Sequence, residues 1–294
     1  MRSETLTSRI LPVLTIVAII IAIWYAAAIW MNAPFQRDLD RRGGVTSTTM
    51  EFIGKTLSQP KPVVPAPHQV AQNIFENTVL RKVSSSRSLV YHSWVTLSST
   101  LAGFAFGTLL GILIAVGIVH VKALDRSLMP WIIASQTVPI LAIAPMVVVV
   151  LAAVNVTGLV PKALISTYLS FFPVAVGMVK GLRSPELMHL DLMRTYNAGR
   201  WTTFWKLRMP AAMPFLFTSM KVAVAASLVG AIVAELPTGA AAGIGSKLLA
   251  GSYYSQTIDM WAALIAGSVL AAALVTIVGI GARIVDRRMG VKPA

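Results

Sequence analysis

Six apolar runs constrain this chain more than any motif it carries. Each is long enough to cross about 30 Å of hydrocarbon at about 1.5 Å per residue. They lie at roughly 10–31, 92–119, 129–153, 161–181, 212–236 and 259–282. Only 12% of the residues are charged, where a soluble domain carries about 25%. The fold class that follows is an all-α polytopic membrane protein with six transmembrane helices. The first run is too long for the apolar core of a signal peptide and is read as an uncleaved span. The third holds Pro130, Pro139 and Pro145 and is expected to bend or break, since proline removes a helix donor and clashes with the preceding turn.

The net charge is +14, but it does not point to nucleic acid. The basic residues sit in short segments between spans, where topology accounts for them. On one side lie Arg2 and Arg9; Lys122 and Arg126; Lys180, Arg183, Arg194, Arg200, Lys206 and Arg208; and Arg283, Arg287, Arg288 and Lys292. The two short loops on the other side offer only Lys162 and Lys247. The long 32–91 loop is too long to weigh much in the rule. The bias therefore places both termini and the 182–211 loop in the cytoplasm. There is no cysteine, which excludes disulfides, thiolate metal sites and a cysteine nucleophile.

Outside the spans, 32–66 reads as an irregular outer segment. Arg41-Arg42-Gly43-Gly44 is a turn signal, and Pro60–Pro67 is extended, polyproline-like chain. From His68 to Leu80, Val70, Ile74 and Val79 fall near one helical face, so the segment either lies on the membrane surface or packs on the rim of the bundle. Gly103, Gly107 and Gly111 recur every fourth residue in the second run. Such a ridge lets another helix approach closely, within one subunit or between two.

Chemical motifs are absent. Gly239-Ala-Ala-Ala-Gly243-Ile-Gly245-Ser-Lys247 lacks the Gly-Lys-Ser/Thr ending of a phosphate loop and is read as a flexible outer loop. His68, His92, His120 and His189 have no metal-ligand spacing, and no nucleophile elbow occurs. No metal site and no catalytic constellation is therefore expected. Polar groups in or beside the spans are costly and mark candidate pathways. Gln136, among the prolines, and Glu235, at the end of the fifth run, are the candidate pathway or gate residues. Asp259 and the aromatic Tyr168, Phe171 and Phe172 are weaker cases.

The stretch from Asp191 to Pro210 is unusual for a loop between spans. Leu187, Leu190 and Met193 recur at helical spacing, with Asp191 taken to open a short helix, where negative charge is favoured. Asn197-Ala198-Gly199 breaks it, since Asn and Gly tolerate left-handed backbone. Trp201, Phe204 and Trp205 then supply apolar anchors beside Lys206 and Arg208, and Pro210 stops the segment. Physics alone allows a docking knob or an interfacial helix with an aromatic belt.

This stretch resembles the cytoplasmic coupling motif of binding-protein-dependent ABC transporter permeases: Glu-Ala-Ala, three residues, Gly, then Pro thirteen residues later. Asp191 stands at the Glu position, Leu192 and Met193 at Ala-Ala, and Asn197 at the Gly. Ala198 and Gly199 match the small residues that follow, and Pro210 falls at the Pro. Leu128-Met-Pro-Trp131, Val138–Pro145, Phe171-Phe-Pro173 and Gly181–Pro185 are similar to the nitrate/sulfonate/taurine-type branch. Val233–Gly239 and Leu249–Tyr254 look more like permeases for pyrimidine thiamine precursors or riboflavin.

The resemblance implies a type I importer-permease (MetI-like) fold in a bacterial inner membrane. It implies an N-terminal helix (1–31), a periplasmic segment (32–91), a transmembrane core (92–285) with a 182–211 coupling loop, and a cytoplasmic tail (286–294). The partners it implies are two copies of an ABC ATPase that carry ATP and Mg, a second permease subunit as a homodimer, and a periplasmic substrate-binding protein. This chain itself would bind no cofactor and catalyse no reaction. Its coupling residues would be Asp191, Leu192, Met193, Asn197, Ala198, Gly199, Trp201 and Pro210. The alternative is a stand-alone secondary transporter or channel, which would need an ion site or inverted repeats that the spans do not display.

Overall fold

The computed structural model describes residues 6–44, 46–237 and 242–289. Among them the regular structure is all helical. Five helices are long and apolar enough to cross a membrane, and a sixth crossing arises if one bent pair counts as a single span. Gly239, and the tail beyond Met289, lie outside the described residues.

The chain divides into two compact units, 1–90 with 247–265, and 91–246 with 266–294. The first is built on α1 (Leu6–Gly43). This helix continues twelve residues past the expected boundary at 31. Nothing interrupts it until Gly43-Gly44, where Gly44 takes φ 62, and Arg42 pairs with Asp38 at 2.8 Å one turn back. A second helix, α2 (Thr49–Leu57), starts at a capping box made by Thr48 and Glu51. The expected irregular segment is therefore helical in large part. Its polyproline-like half is clamped to α1 by buried amides. Asn32 accepts from Val63 N (2.8 Å) and donates to Val64 O (2.8 Å), and Trp24 Nε1 donates to Pro65 O (3.0 Å).

Next comes α3 (Pro67–Phe75), followed by a π turn over Glu76–Leu80. Seven residues are two α-helical turns, so the face of Val70 continues through Asn77, while Val79 falls on the opposite side. Val70 and Asn77 are buried and Val79 is exposed, which corrects the face expected from spacing.

In the second unit, α7 (Leu159–Leu182) packs against α4 (Leu89–His120) and α10 (Met209–Ala234), which also meet each other. The glycine ridge of α4 meets α7 within this chain. A Cβ on Gly103 would fall 2.2 Å from Ser166 Cβ, one on Gly107 2.0 Å from Ser170 Oγ, and one on Gly111 2.7 Å from Phe171 O. Further along the same stripe, Gly177 and Gly181 of α7 abut Ser219 and Ala212 of α10. Hydroxyls reinforce the crossings: Ser170 Oγ donates to Gly103 O (3.1 Å) and Ser227 Oγ to Thr100 O (2.8 Å). Val174, Met178 and Leu182 centre the apolar core with Ile118, Leu216 and Phe204.

The proline-bearing third run is broken into α5 (Lys122–Ser135) and α6 (Ile140–Ala153), bent by 96°. The break falls at Pro139, which caps α6 and disfavours helical backbone at Val138. Pro130 and Pro145 stay inside their helices. After α8 (Leu187–Thr195), α9 (Arg200–Thr203) and a π turn (Phe204–Arg208) run directly into α10. Pro210 does not stop this segment. In the turn before it, Met209 N bonds Phe204 O, five residues back, so the helix has already left α register where proline lacks its donor. Helices α11 (Ile244–Tyr253) and α12 (Thr257–Arg288) complete the chain.

Candidate functional site

Two places in the second unit hold the residues singled out above. The first is the α8–α10 segment. Helix α8 buries none of its side chains. Asp191 is not at its start, as expected, but in its middle, paired with Arg194 at 2.9 Å across an exposed i,i+3 spacing. The helix ends in a Schellman arrangement: Ala198 N bonds Met193 O (2.9 Å) and Asn197 N bonds Arg194 O (2.8 Å). Asn197 carries φ 51, a left-handed conformation that glycine and asparagine adopt at least cost. Gly199 has ordinary negative φ and nothing within 4 Å of where a Cβ would lie. The chain's own packing therefore does not require glycine there.

Leu187, Met188, Leu192, Tyr196, Trp201 and Trp205 are all exposed. Phe204, expected to be a third exposed anchor, is 3% exposed. It packs edge-on to the His120 ring at 5.2 Å, and Trp201 stacks on the same ring at 6.2 Å. The ends of two other helices thus hold the segment, and one of them is tied to a third. His120 closes α4, Arg208 Nη1 donates to Leu182 O at the end of α7 (3.2 Å), and Arg183, just past α7, pairs with Asp125 of α5 at 2.8 Å.

The second place is built around Glu235, which is fully buried beyond the last turn of α10. Its carboxylate accepts from Thr96 Oγ1 (2.9 and 3.0 Å), from Gly245 N (3.0 Å) and from Lys162 Nζ (3.3 Å). Lys162 Nζ also donates to Ala242 O (2.8 Å), and Ile244 N donates to Thr96 Oγ1 (2.8 Å). His92 Nδ1 lies 3.0 Å from Gly243 N and 2.9 Å from its carbonyl oxygen. Gly243 has φ 135, and a Cβ there would fall 2.1 Å from the Glu235 carboxyl carbon. Gly243 and Gly245, which help to imitate a phosphate loop, are there because the backbone wraps a carboxylate. The expectation of a flexible loop fails for Gly243-Ile244-Gly245, whose Ile244 is also fully buried.

Beside this centre, Lys162 and Ala242 line a cavity of about 450 Å³ together with Tyr91, Ser98, Thr157 and Pro237. Gln136 stands apart, exposed on the α5–α6 break, 3.4 Å from Ser135 Oγ. Tyr168 OH donates to Ser135 O at the same break.

Sequence reading missed Lys162, Thr96 and His92 as parts of one centre, because Lys162 was counted as a loop charge. It also passed over Lys221, the one charged residue inside α10. Its side chain runs past Gly279 of α12, where a Cβ would lie 3.5 Å from Lys221 Cε. A hydropathy trace interrupted by a single lysine was the available signal. Among the described residues no three His, Asp or Glu converge as a metal site.

Comparison with known proteins agrees with this architecture. Residues 107–291 match the model of the family described as binding-protein-dependent transport system inner membrane component. A probable ABC transporter permease of Haemophilus influenzae is 29% identical over 222 residues, 76% of this chain and 85% of that protein. The formylaminopyrimidine transport permease of Halalkalibacterium halodurans is 30% identical over 196 residues, 66% of this chain and 73% of that one. The riboflavin transport permease of Chloroflexus aurantiacus is 27% identical over 235 residues, 80% and 84% of the two. This multi-span chain is therefore a non-enzymatic permease component of an ABC importer, and it belongs to the family of binding-protein-dependent transport system inner membrane components.

Proposed function

We propose that this chain forms the translocation pathway for a small solute delivered by an external binding protein, and that residues 187–210 couple it to a separate ATPase. The observation that carries the coupling role is the exposure of α8 with its aromatic neighbours, next to a Gly199 that nothing in the chain crowds. Exposed Leu187, Met188, Leu192, Trp201 and Trp205 have the composition of an interface core. The small residues Ala198 and Gly199 between them let a partner surface approach the backbone.

In this reading the loop and both termini are cytoplasmic. ATP and Mg reside on two copies of the partner ATPase, and two copies of this chain pair around the path in a bacterial inner membrane. ATPase closure pushes α8 and the helical turn at Trp201. The push reaches α4 through His120, α7 through Arg208 and Leu182, and α5 through Arg183 and Asp125. The transition is a two-state one biased from the nucleotide end. The solute belongs with the cargo of the relatives: a formylaminopyrimidine or riboflavin-like heterocycle first, a sulfonate or nitrate second.

The test is Gly199→Glu in the assembled transporter. It is expected to insert normally and to lose transport more than tenfold, together with cross-linking between a cysteine at 198 and the ATPase. Normal transport by a stably inserted Gly199→Glu protein would remove the docking role. A ligand screen of the cognate binding protein against the four solute classes tests the cargo.

A further inference from the structure

The segment between α3 and α4 is built inside-out. In the π turn the inward position belongs to an amide: buried Asn77 donates to Asn73 Oδ1 (2.8 Å), and Asn73 of α3 donates to Asp259 Oδ1 (3.1 Å). The apolar ones face outward. Phe75 is 55% exposed, Val79 62%, Leu80 69% and Val83 60%. A segment in water has the opposite polarity.

Cations gather on the same stretch. Lys247 Nζ donates to Arg87 O at 3.2 Å, and Arg81 lies close enough to act on the Lys247 charge. Burial pushes the Lys247 pKa below its ordinary value; Asp259 opposes that shift and Arg81 adds to it. Lys82 lies between Arg81 and the apolar Val83. Among the described residues Arg81, Lys82, Arg87 and Lys247 make no ion pair. Of the acids nearby, Glu76 accepts from Gln72, and Asp259 accepts from Asn73 and acts on Lys247, and among the described residues neither forms an ion pair with Arg81, Lys82 or Arg87.

We propose that residues 75–88, with Lys247, form a bilayer-surface site for the headgroup of an anionic phospholipid. The occupant follows from position and from charge. The chain enters the membrane-spanning α4 at Leu89. Val83 is six residues earlier, so it lies within about 20 Å of the start of that helix even on a fully extended chain. Exposed Phe, Val and Leu at that depth insert among acyl chains, and lysine and arginine at the boundary reach phosphate. A lipid headgroup supplies the anion that Arg81, Lys82 and Arg87 lack among the described residues, with Lys247 beside them.

The chain has no cysteine, so single spin labels can be placed cleanly. Val79→Cys, Leu80→Cys and, as a control on α2, Met50→Cys would each be labelled and reconstituted into phosphatidylcholine vesicles with and without phosphatidylglycerol. Labels at 79 and 80 are expected to be accessible to oxygen and shielded from a water-soluble nickel reagent, with the reverse at 50. Labels at 79 and 80 as open to the nickel reagent as the one at 50 would overturn the site in favour of a surface for a soluble partner. In the second arm, spin-labelled phosphatidylglycerol is expected to be immobilised in preference to spin-labelled phosphatidylcholine. Each of Arg81→Gln, Lys82→Gln and Arg87→Gln should lower that preference about fivefold, the equivalent of about 1 kcal/mol per cation at an anionic surface. Equal immobilisation of the two lipids, or a preference that survives all three substitutions together, would also overturn it. Unchanged oxygen accessibility of a label at Leu101 in α4 shows that the variants are folded.

Discussion

Replacing Lys162 by Met tests whether the Glu235 centre holds the 242–245 backbone in place. The ammonium and the carboxylate sit 3.3 Å apart, with side chains 10% and 0% exposed, so solvent screens the pair little. Removing the lysine leaves a buried carboxylate with Thr96 Oγ1 and Gly245 N as its remaining donors among the described residues. Breaking a buried pair from one side costs about 3–5 kcal/mol, chiefly through the partner left behind. Glu235→Gln leaves the buried Lys162 ammonium with only neutral acceptors among the described residues, the Ala242 carbonyl and the new amide oxygen, and should cost a similar amount because its charge is uncompensated. The double variant, Lys162→Met with Glu235→Gln, strands no charge and should recover about 1–3 kcal/mol relative to the sum. The assay is reversible unfolding of the purified chain in mixed micelles, followed by tryptophan fluorescence. Single variants that lose less than about 1 kcal/mol, with no coupling in the double, would show that the pair is hydrated. The wrapped backbone would then be held by Gly243 and His92 instead.

Three further outcomes are expected. Gly107→Val drives a branched side chain into Ser170 Oγ and Thr167 O and should destabilise the α4–α7 crossing by about 1–3 kcal/mol or more in the same unfolding assay. Pro210→Ala restores a donor one turn above the π turn. Hydrogen exchange over 204–210 should slow as that stretch relaxes towards α register, and unchanged exchange would show that the turn has another cause. The Glu51 carboxyl is held below its ordinary value of 4.5 by the Thr48 backbone N–H it accepts. Its contribution to α2 is therefore complete above that value and lost as pH falls through the lower folded one. Amide protection at Glu51 should decline only below pH 4.5.

The spans, the broken third run and the end of α8 were legible because each is a local property. Apolar length is matched to bilayer thickness, Pro139 restricts Val138 wherever the helix goes, and Asn197 accepts positive φ with only its own backbone involved. The start of α8 was less legible. Asp191 looked like a first-turn acid, but Glu186 precedes the helix and Asp191 pairs with Arg194 instead. Trp201 and Phe204 were indistinguishable as neighbouring aromatics. Three residues along a helix are nearly a full turn, yet Phe204 opens the π turn and goes into the core while Trp201 stays outside.

By itself the sequence determined that this chain spans a membrane as helices, that its third run breaks, and that a basic, aromatic segment joins α7 to α10. Hydrocarbon imposes those outcomes on any chain with these apolar lengths and prolines. Tertiary structure alone decided which groups meet. Lys162 and Glu235, 73 residues apart, become partners because glycines let α4, α7 and α10 cross at backbone distance. Once the carboxylate is fully enclosed there it has no water to turn to, and Gly243 and Gly245 wrap it. No local pattern encodes that meeting, because it depends on the crossing of three helices.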